Sequence, residues 1–119
     1  MSTREQIERI ELLQDTLDLL ILRTLQLGLM HGQAITKAIE FRSDDVLQVE
    51  QGSLYPALHR LIKRRWILAE EGSSENNRRA KFYALISKGK QQLAIEIGKW
   101  GKLARANAQI LRPGEQEEA

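Results

Sequence analysis

The chain has 119 residues, 42% of them hydrophobic and 29% charged, with a net charge of +2 and no cysteine. That length suits one domain around one core, and the absence of cysteine excludes disulfides, thiolate metal sites and cysteine nucleophiles. The charge is unevenly placed: residues 1–49 hold 5 basic and 8 acidic side chains, residues 50–90 hold 9 and 4, and residues 91–119 hold 4 and 4. A basic middle third points to a localised anionic partner, or to a solvated face that clustered by chance.

The opening stretch "MSTREQIERIELL" lacks the apolar region of a signal peptide. It begins with a possible capping box, Thr3 with Gln6. Ile7, Ile10 and Leu13 follow at helical spacing, which predicts a short first helix over residues 1–13. Asp15 or Thr16 then caps a second helix, "TLDLLILRTLQL", apolar almost all round as a core helix should be. Gly28 stops it. The whole apolar run is too short to cross a bilayer and contains Asp18 and Arg23. A soluble, cytoplasmic protein without membrane association is expected.

"HGQAITKAIEFR" is the third helical stretch, with Ala34, Ile35, Ala38 and Ile39 on one face. His31 is placed to cap or brace its start. Val46, Leu47 and Val49 form a short extended piece. In "EQGSLYPALHRLIKRRW", Leu54, Leu58, Leu61 and Ile62 recur at helical spacing and the face between them is basic. "WILAEE" and "RRAKFYALI" read as two strands joined by the turn-rich "GSSENN", a hairpin whose tip should be mobile. Ser87 caps a final long helix. Along it Leu93, Ile97, Trp100, Ala104, Asn107 and Leu111 are spaced 4, 3, 4, 3, 4, a heptad seam. Gly98 and Gly101 weaken that helix by roughly 1 kcal/mol each, so it needs a packing partner. The tail over residues 113–119 is expected to be disordered.

Three helices followed by a hairpin describe a winged helix-turn-helix, a mainly α fold with a small β-hairpin (α+β). Residues 14–86 form its DNA-binding domain, between the N-terminal helix over 1–13 and a long C-terminal helix over 87–112. In this arrangement the helix over residues 52–65 enters the DNA major groove and the wing over 66–86 touches the flanking backbone. If Gly52 or Ser53 opens that helix, Pro56 lies in its first turn, where a missing N–H costs nothing. If the helix opens two or three residues earlier, Pro56 kinks it. Either way the end that enters the groove is stiffened. Gln51, Ser53, Tyr55 and His59 can reach base edges; Arg60, Lys63 and Arg64 lie where phosphates pass. Arg78, Arg79 and Lys81 flank the hairpin tip and suit backbone contact.

Each assignment has a rival. Arg64 and Arg65 also suit the C-terminal end of a helix dipole. Tyr55 could pack on the hairpin, and His59 could be an ordinary surface histidine. Trp100 suits a core or an interface as well as a ligand platform. A winged-helix module that binds protein instead of DNA is the alternative reading of the whole. An enzyme is not expected: His31 and His59 are far apart in sequence, and no nucleophile–base pair, metal cluster or phosphate-binding glycine loop appears. No cofactor is implied.

"LLQDTLDLLILRTLQLGLMHGQAI", "VLQVEQGSLYPALHRLIKRRWI" and "SENNRRAKFYALISKGKQQL" together resemble the PadR family of bacterial transcriptional regulators over roughly residues 12 to 95. The wing and "DVLQVEQGSLYPALHRL" look most like an acidobacterial version, and the short C-terminal region resembles the smaller of two family subgroups. The resemblance implies a homodimeric repressor on a pseudo-palindromic operator in double-stranded DNA. It implies dimerisation through the C-terminal helix, hence Leu93, Ile97, Trp100, Ala104, Asn107 and Leu111, with help from Ile7 and Ile10. It also implies release by a small aromatic effector near the dimer interface, where Trp100 would serve. Two positions depart from the family pattern: Asp15 stands where glycine is common. Gln33, a DNA contact at the start of the third helical stretch, stands where an aromatic is common.

Overall fold

The computed structural model describes residues 10–73 and 76–114. In chain order the elements are β1 (Ile10–Glu11), α1 (Gln14–Leu25), β2 (Met30–His31), α2 (Gly32–Arg42), β3 (Leu47–Gln48), α3 (Gln51–Lys63), β4 (Ile67–Ser73), β5 (Arg79–Leu85) and α4 (Ser87–Leu111). This is a winged helix-turn-helix, mainly α with a small open sheet. None of the described helices is long and apolar enough to cross a membrane.

The core forms where the apolar stripes of the first three helices meet. Leu17, Ile21, Leu22 and Leu25 of α1 pack with Ile35 and Ile39 of α2 and with Leu54, Ala57, Leu58 and Leu61 of α3. Burying side chains of this size contributes roughly 1.5–3 kcal/mol each. Two polar side chains are buried with them. Thr24 Oγ1 donates to the Leu20 carbonyl at 2.7 Å; Asp18 is paired, as described below.

Ile10 and Glu11 are extended and pair in parallel with Leu47 and Gln48. The helix expected over residues 1–13 therefore does not run through its last four positions. Pairing with a strand distant in sequence outweighs the local periodicity there. Ile7 and the capping box lie outside the described residues. The cap of α1 is also shifted: Leu13 holds the position without a side-chain bond, and Asp15 sits inside the first turn. Gly28 follows the helix with φ at 134°, a value that only glycine adopts without strain.

The hairpin expected from the strand pattern is a three-stranded sheet in the order β2-β5-β4, because Met30 and His31 add to the free edge of β5. The tip at residues 74–75, expected to be mobile, lies outside the described residues, as do residues 115–119 of the tail. His31 does brace a helix start: its Nδ1 accepts the Ala34 N–H at 3.2 Å, and its ring meets Phe82 edge-on at 5.8 Å.

The segment between α2 and α3 sets the position of α3. Asp44 and Asp45 both have positive φ, and the Asp45 N–H donates to the Glu40 carbonyl at 2.8 Å. Ser43 Oγ accepts the Leu47 N–H, and Glu40 Oε2 accepts the Val49 N–H, each at 3.1 Å. Together these bonds tie both ends of the segment to α2. At its other end α3 closes with Arg65 at φ 63°, while the Trp66 N–H reaches the Leu61 carbonyl and the Arg65 N–H reaches the Ile62 carbonyl. This is the left-handed cap usually made by glycine.

α4 begins at Ser87, with Ile86 rather than the serine in the cap position. Its 25 residues span about 37 Å. Gly89 and Leu93 are its buried residues. The radius of gyration, 17.4 Å, exceeds the roughly 13.5 Å of a compact chain of this length, because α4 runs on past the core. Leu93, counted above in a dimer seam, is 1% exposed and belongs to the protomer's own core. The same face further along carries Ile97, Trp100, Leu103 and Leu111, all exposed.

Candidate nucleic-acid interface

α3 opens at Gln51, with Glu50 in the cap position and no side-chain cap. Pro56 therefore lies in the second turn, not the first. Its ring removes the N–H that would have reached the Gly52 carbonyl, and both residues are exposed. The helix tolerates the loss because water can reach that carbonyl. Of the sequence-derived candidates, Gln51, Tyr55, Pro56, His59 and Lys63 are exposed along one side of α3, covering an arc of about 140°. Ser53 is partly covered, and Ile62, expected to pack inward, lies at the edge of the core.

The wing faces this arc. Arg79 and Lys81 alternate with Ala80 and Phe82 along β5, so they share a strand face with Tyr83. A cleft of about 650 Å³ runs between α3, the start of α2 and the wing. Gln33, Tyr55, His59, Arg78, Arg79 and Lys81 line it. The structure thus brings together six of the residues singled out as DNA contacts, from three separate elements.

Tyr55 is held by a feature that sequence reasoning missed. A Cβ built on Gly32 would lie 2.9 Å from Tyr55 Oη and 3.3 Å from its ring. The ring therefore rests against the first residue of α2, where a Cβ would push the tyrosine aside, while Tyr55 stays 45% exposed. Tyr55 packs on α2 and borders the wing at the same time, so its two readings are not exclusive.

Beneath it Tyr83 is buried. Burial pushes its phenol above the ordinary value of 10.0, and the neighbouring Tyr55 adds to the shift. An acid whose folded value is raised leaves stability intact below pH 10 and lowers it as pH climbs through the folded value. Urea unfolding at pH 8 and pH 11 should therefore show a larger alkaline loss for the native chain than for Tyr83→Phe.

Two basic residues do not project toward the cleft as expected. Arg60 turns to α1: its Nη2 donates to Asp18 Oδ1 at 2.7 Å and its Nε to Oδ2 at 3.3 Å. Arg64 stacks over Trp66, with its guanidinium carbon 5.0 Å from the ring centre. Neither partner shares a local pattern with the arginine in a way that periodicity could reveal. Trp100 stands away from the cleft, half-exposed on α4. Among the described residues no group of three or more metal-ligating side chains is found.

Comparison with known proteins agrees with this geometry. The "Transcriptional regulator PadR-like family" matches residues 21–95. A PadR family transcription regulator from Clostridium difficile is similar in structure, with TM-score 0.70, 28% identity, and coverage of 81% of this chain and 98% of that one. A transcriptional regulator from Clostridium thermocellum shares the fold with TM-score 0.76 at 23% identity, covering 83% of this chain and 96% of its own. An uncharacterised protein of Lysinibacillus sphaericus is 27% identical over 95 residues, which are 80% of this chain and 87% of the relative. With its winged helix-turn-helix and a family match across the core, α3, the wing and the start of α4, the chain belongs to the PadR-like family of DNA-binding transcriptional regulators, which are not enzymes.

Proposed function

We propose that the chain is a transcriptional repressor that binds a pseudo-palindromic operator as a homodimer. α3 enters the major groove and the wing grips the adjacent backbone. The observation that carries this reading is the shared cleft: the exposed arc of α3 and the cations Arg78, Arg79 and Lys81 of the wing face one another across it. Gln51, Ser53, Tyr55 and His59 are the base readers, near the leading end of the helix, with Gln33 contacting DNA from the start of α2. Lys63, Arg78, Arg79 and Lys81 are the phosphate contacts. Pro56 shapes the leading turns. With no side-chain cap on α3, and with the Ser53 and Leu54 N–H groups bonded to the Glu50 carbonyl, the amides left to meet an anion are those of Gln51 and Gly52.

The second copy is supported by α4. Its face is buried at Leu93 and then continues, exposed, through Ile97, Trp100 and Leu111, with Ala104 and Asn107 between. Another protomer covering that face would set two α3 helices about 34 Å apart, one turn of DNA. Ile7 and Ile10 help at this seam, as the family resemblance implies, and the Ile10 backbone also pairs in β1. An aromatic effector near Trp100 would release DNA by changing that spacing. The resemblance of the quoted segments is what supports the finer reading, an acidobacterial type in the smaller family subgroup.

Selection of genomic fragments by the purified protein, followed by titration at several salt concentrations, tests the reading. One enriched palindromic motif and a steep salt dependence are expected. Arg79→Ala with Lys81→Ala should reduce the slope of log K against log salt by about 2 per protomer, with little change in base preference. Retention of an acidic protein and no DNA would instead favour an interaction module.

A further inference from the structure

Arg60 is treated differently from the other cations near the cleft. Among the described residues, no ion pair forms at Lys63, Arg78, Arg79 or Lys81, whereas Arg60 makes a two-point bond to Asp18. Asp18 lies midway along α1 with its side chain 9% exposed, and that of Arg60 is 28% exposed. A carboxylate so deeply placed requires a charged partner.

Arg60 nevertheless stands at a boundary. On one side it lines a crevice between α1 and α3, with Leu12, Leu17 and Pro56. On the other it borders an open groove on the exposed side of α3, with Tyr55, His59 and Lys63. Because Arg60 borders both, a rotation of its side chain away from Asp18 would turn the guanidinium toward the groove. The carboxylate of Asp18 opposes that rotation, because leaving would strand a buried charge.

We propose that Asp18 is a positioning residue that withholds Arg60 from the DNA phosphates, and so limits the sequence-independent part of the affinity. The inference rests on the DNA-binding reading above. Its physical basis is that phosphate contacts favour every sequence alike, while base contacts discriminate. Holding one cation per protomer on Asp18 leaves more of the total attraction to the base readers. Arg60 is then a brace between α1 and α3 in the bound state as well as the free one.

The test is the salt dependence of binding to a random-sequence duplex, measured for the native chain, Asp18→Asn, and Asp18→Asn combined with Arg60→Met. Asp18→Asn keeps the shape of the side chain but frees the arginine. Its slope of log K against log salt should steepen by about 0.9 per protomer. The double variant should return to the native slope, because Arg60 made no phosphate contact to lose. The double variant leaves no unpaired buried charge, so it reports whether Arg60 already contacts a phosphate even if the single variant folds poorly. An unchanged slope in Asp18→Asn would overturn the inference. So would a double variant about 0.9 shallower than the native chain, since Arg60 would then already be on a phosphate. A native chain that binds no duplex at all would overturn the DNA-binding reading itself, a distinct result.

Discussion

Replacing Gly89 with alanine is expected to destabilise the fold by about 3 kcal/mol or more, among the larger effects a single methyl group can have. A Cβ at this position would lie 2.0 Å from the Trp66 carbonyl oxygen and 2.8 Å from Leu85 Cδ1. The leucine could rotate away; the carbonyl could not. It belongs to Trp66, which follows the left-handed Arg65 at φ 63° and leads into β4, and it accepts the Ile86 N–H at 3.1 Å. Moving it would disturb the end of α3 and the start of α4 together. Gly98 supplies the control. It lies in the same helix with nothing within 4 Å of its would-be Cβ, so Gly98→Ala should gain about 1 kcal/mol of helix propensity. Thermal and urea unfolding of the two variants should move in opposite directions. A loss below about 1 kcal/mol for Gly89→Ala would mean that α4 does not seat on the α3–β4 turn as described.

Trp100→Ala is expected to separate the proposed dimer while leaving each protomer folded. Trp100 is 51% exposed, so its truncation removes little from the core. Aromatic anchors at the centre of an interface typically cost 2 kcal/mol or more when truncated. A symmetric dimer carries two copies, for a total of about 4 kcal/mol, or roughly a thousandfold in the dimer dissociation constant. Sedimentation across a concentration range should show that shift with an unchanged unfolding temperature for dilute protein. Operator affinity should fall in parallel, because one protomer reads one half-site. Dimers of undiminished stability would place the second copy on another face. A lowered unfolding temperature at all concentrations would make Trp100 a core residue after all.

Some of the site was legible from the chain alone. The exposed positions Gln51, Tyr55, His59 and Lys63 follow from helical periodicity, since Leu54, Leu58 and Leu61 had to face inward. Arg79 and Lys81 follow from strand alternation beside Tyr83. His31 announced its role by standing directly before a helical run, and the structure places its ring nitrogen on the Ala34 amide. Pro56 shows the limit of such reading. Its place in the helix turned on whether Gly52 or Gln51 came first, a difference that propensity does not resolve. Arg60 shows a second limit: its position on the helix is right for a phosphate, but a carboxylate 42 residues earlier takes it.

Spacing along the chain was enough for the order of α1, α2, α3, the β4–β5 hairpin and α4, for the inward faces of α1, α2 and α3, and for the concentration of positive charge on one segment. These follow from spacing within a dozen residues, where each side chain's direction is set by its own helix or strand. Folding in three dimensions was needed to make Ile10 and Glu11 a strand beside Leu47 and Gln48 and to give Arg60 to Asp18. It alone seated Tyr55 on Gly32, Gly89 on Trp66, and Leu93 in the protomer's own core. Each of these joins elements that the chain brings together only by folding. What two surfaces will touch depends on their packing in space, and no local period records it.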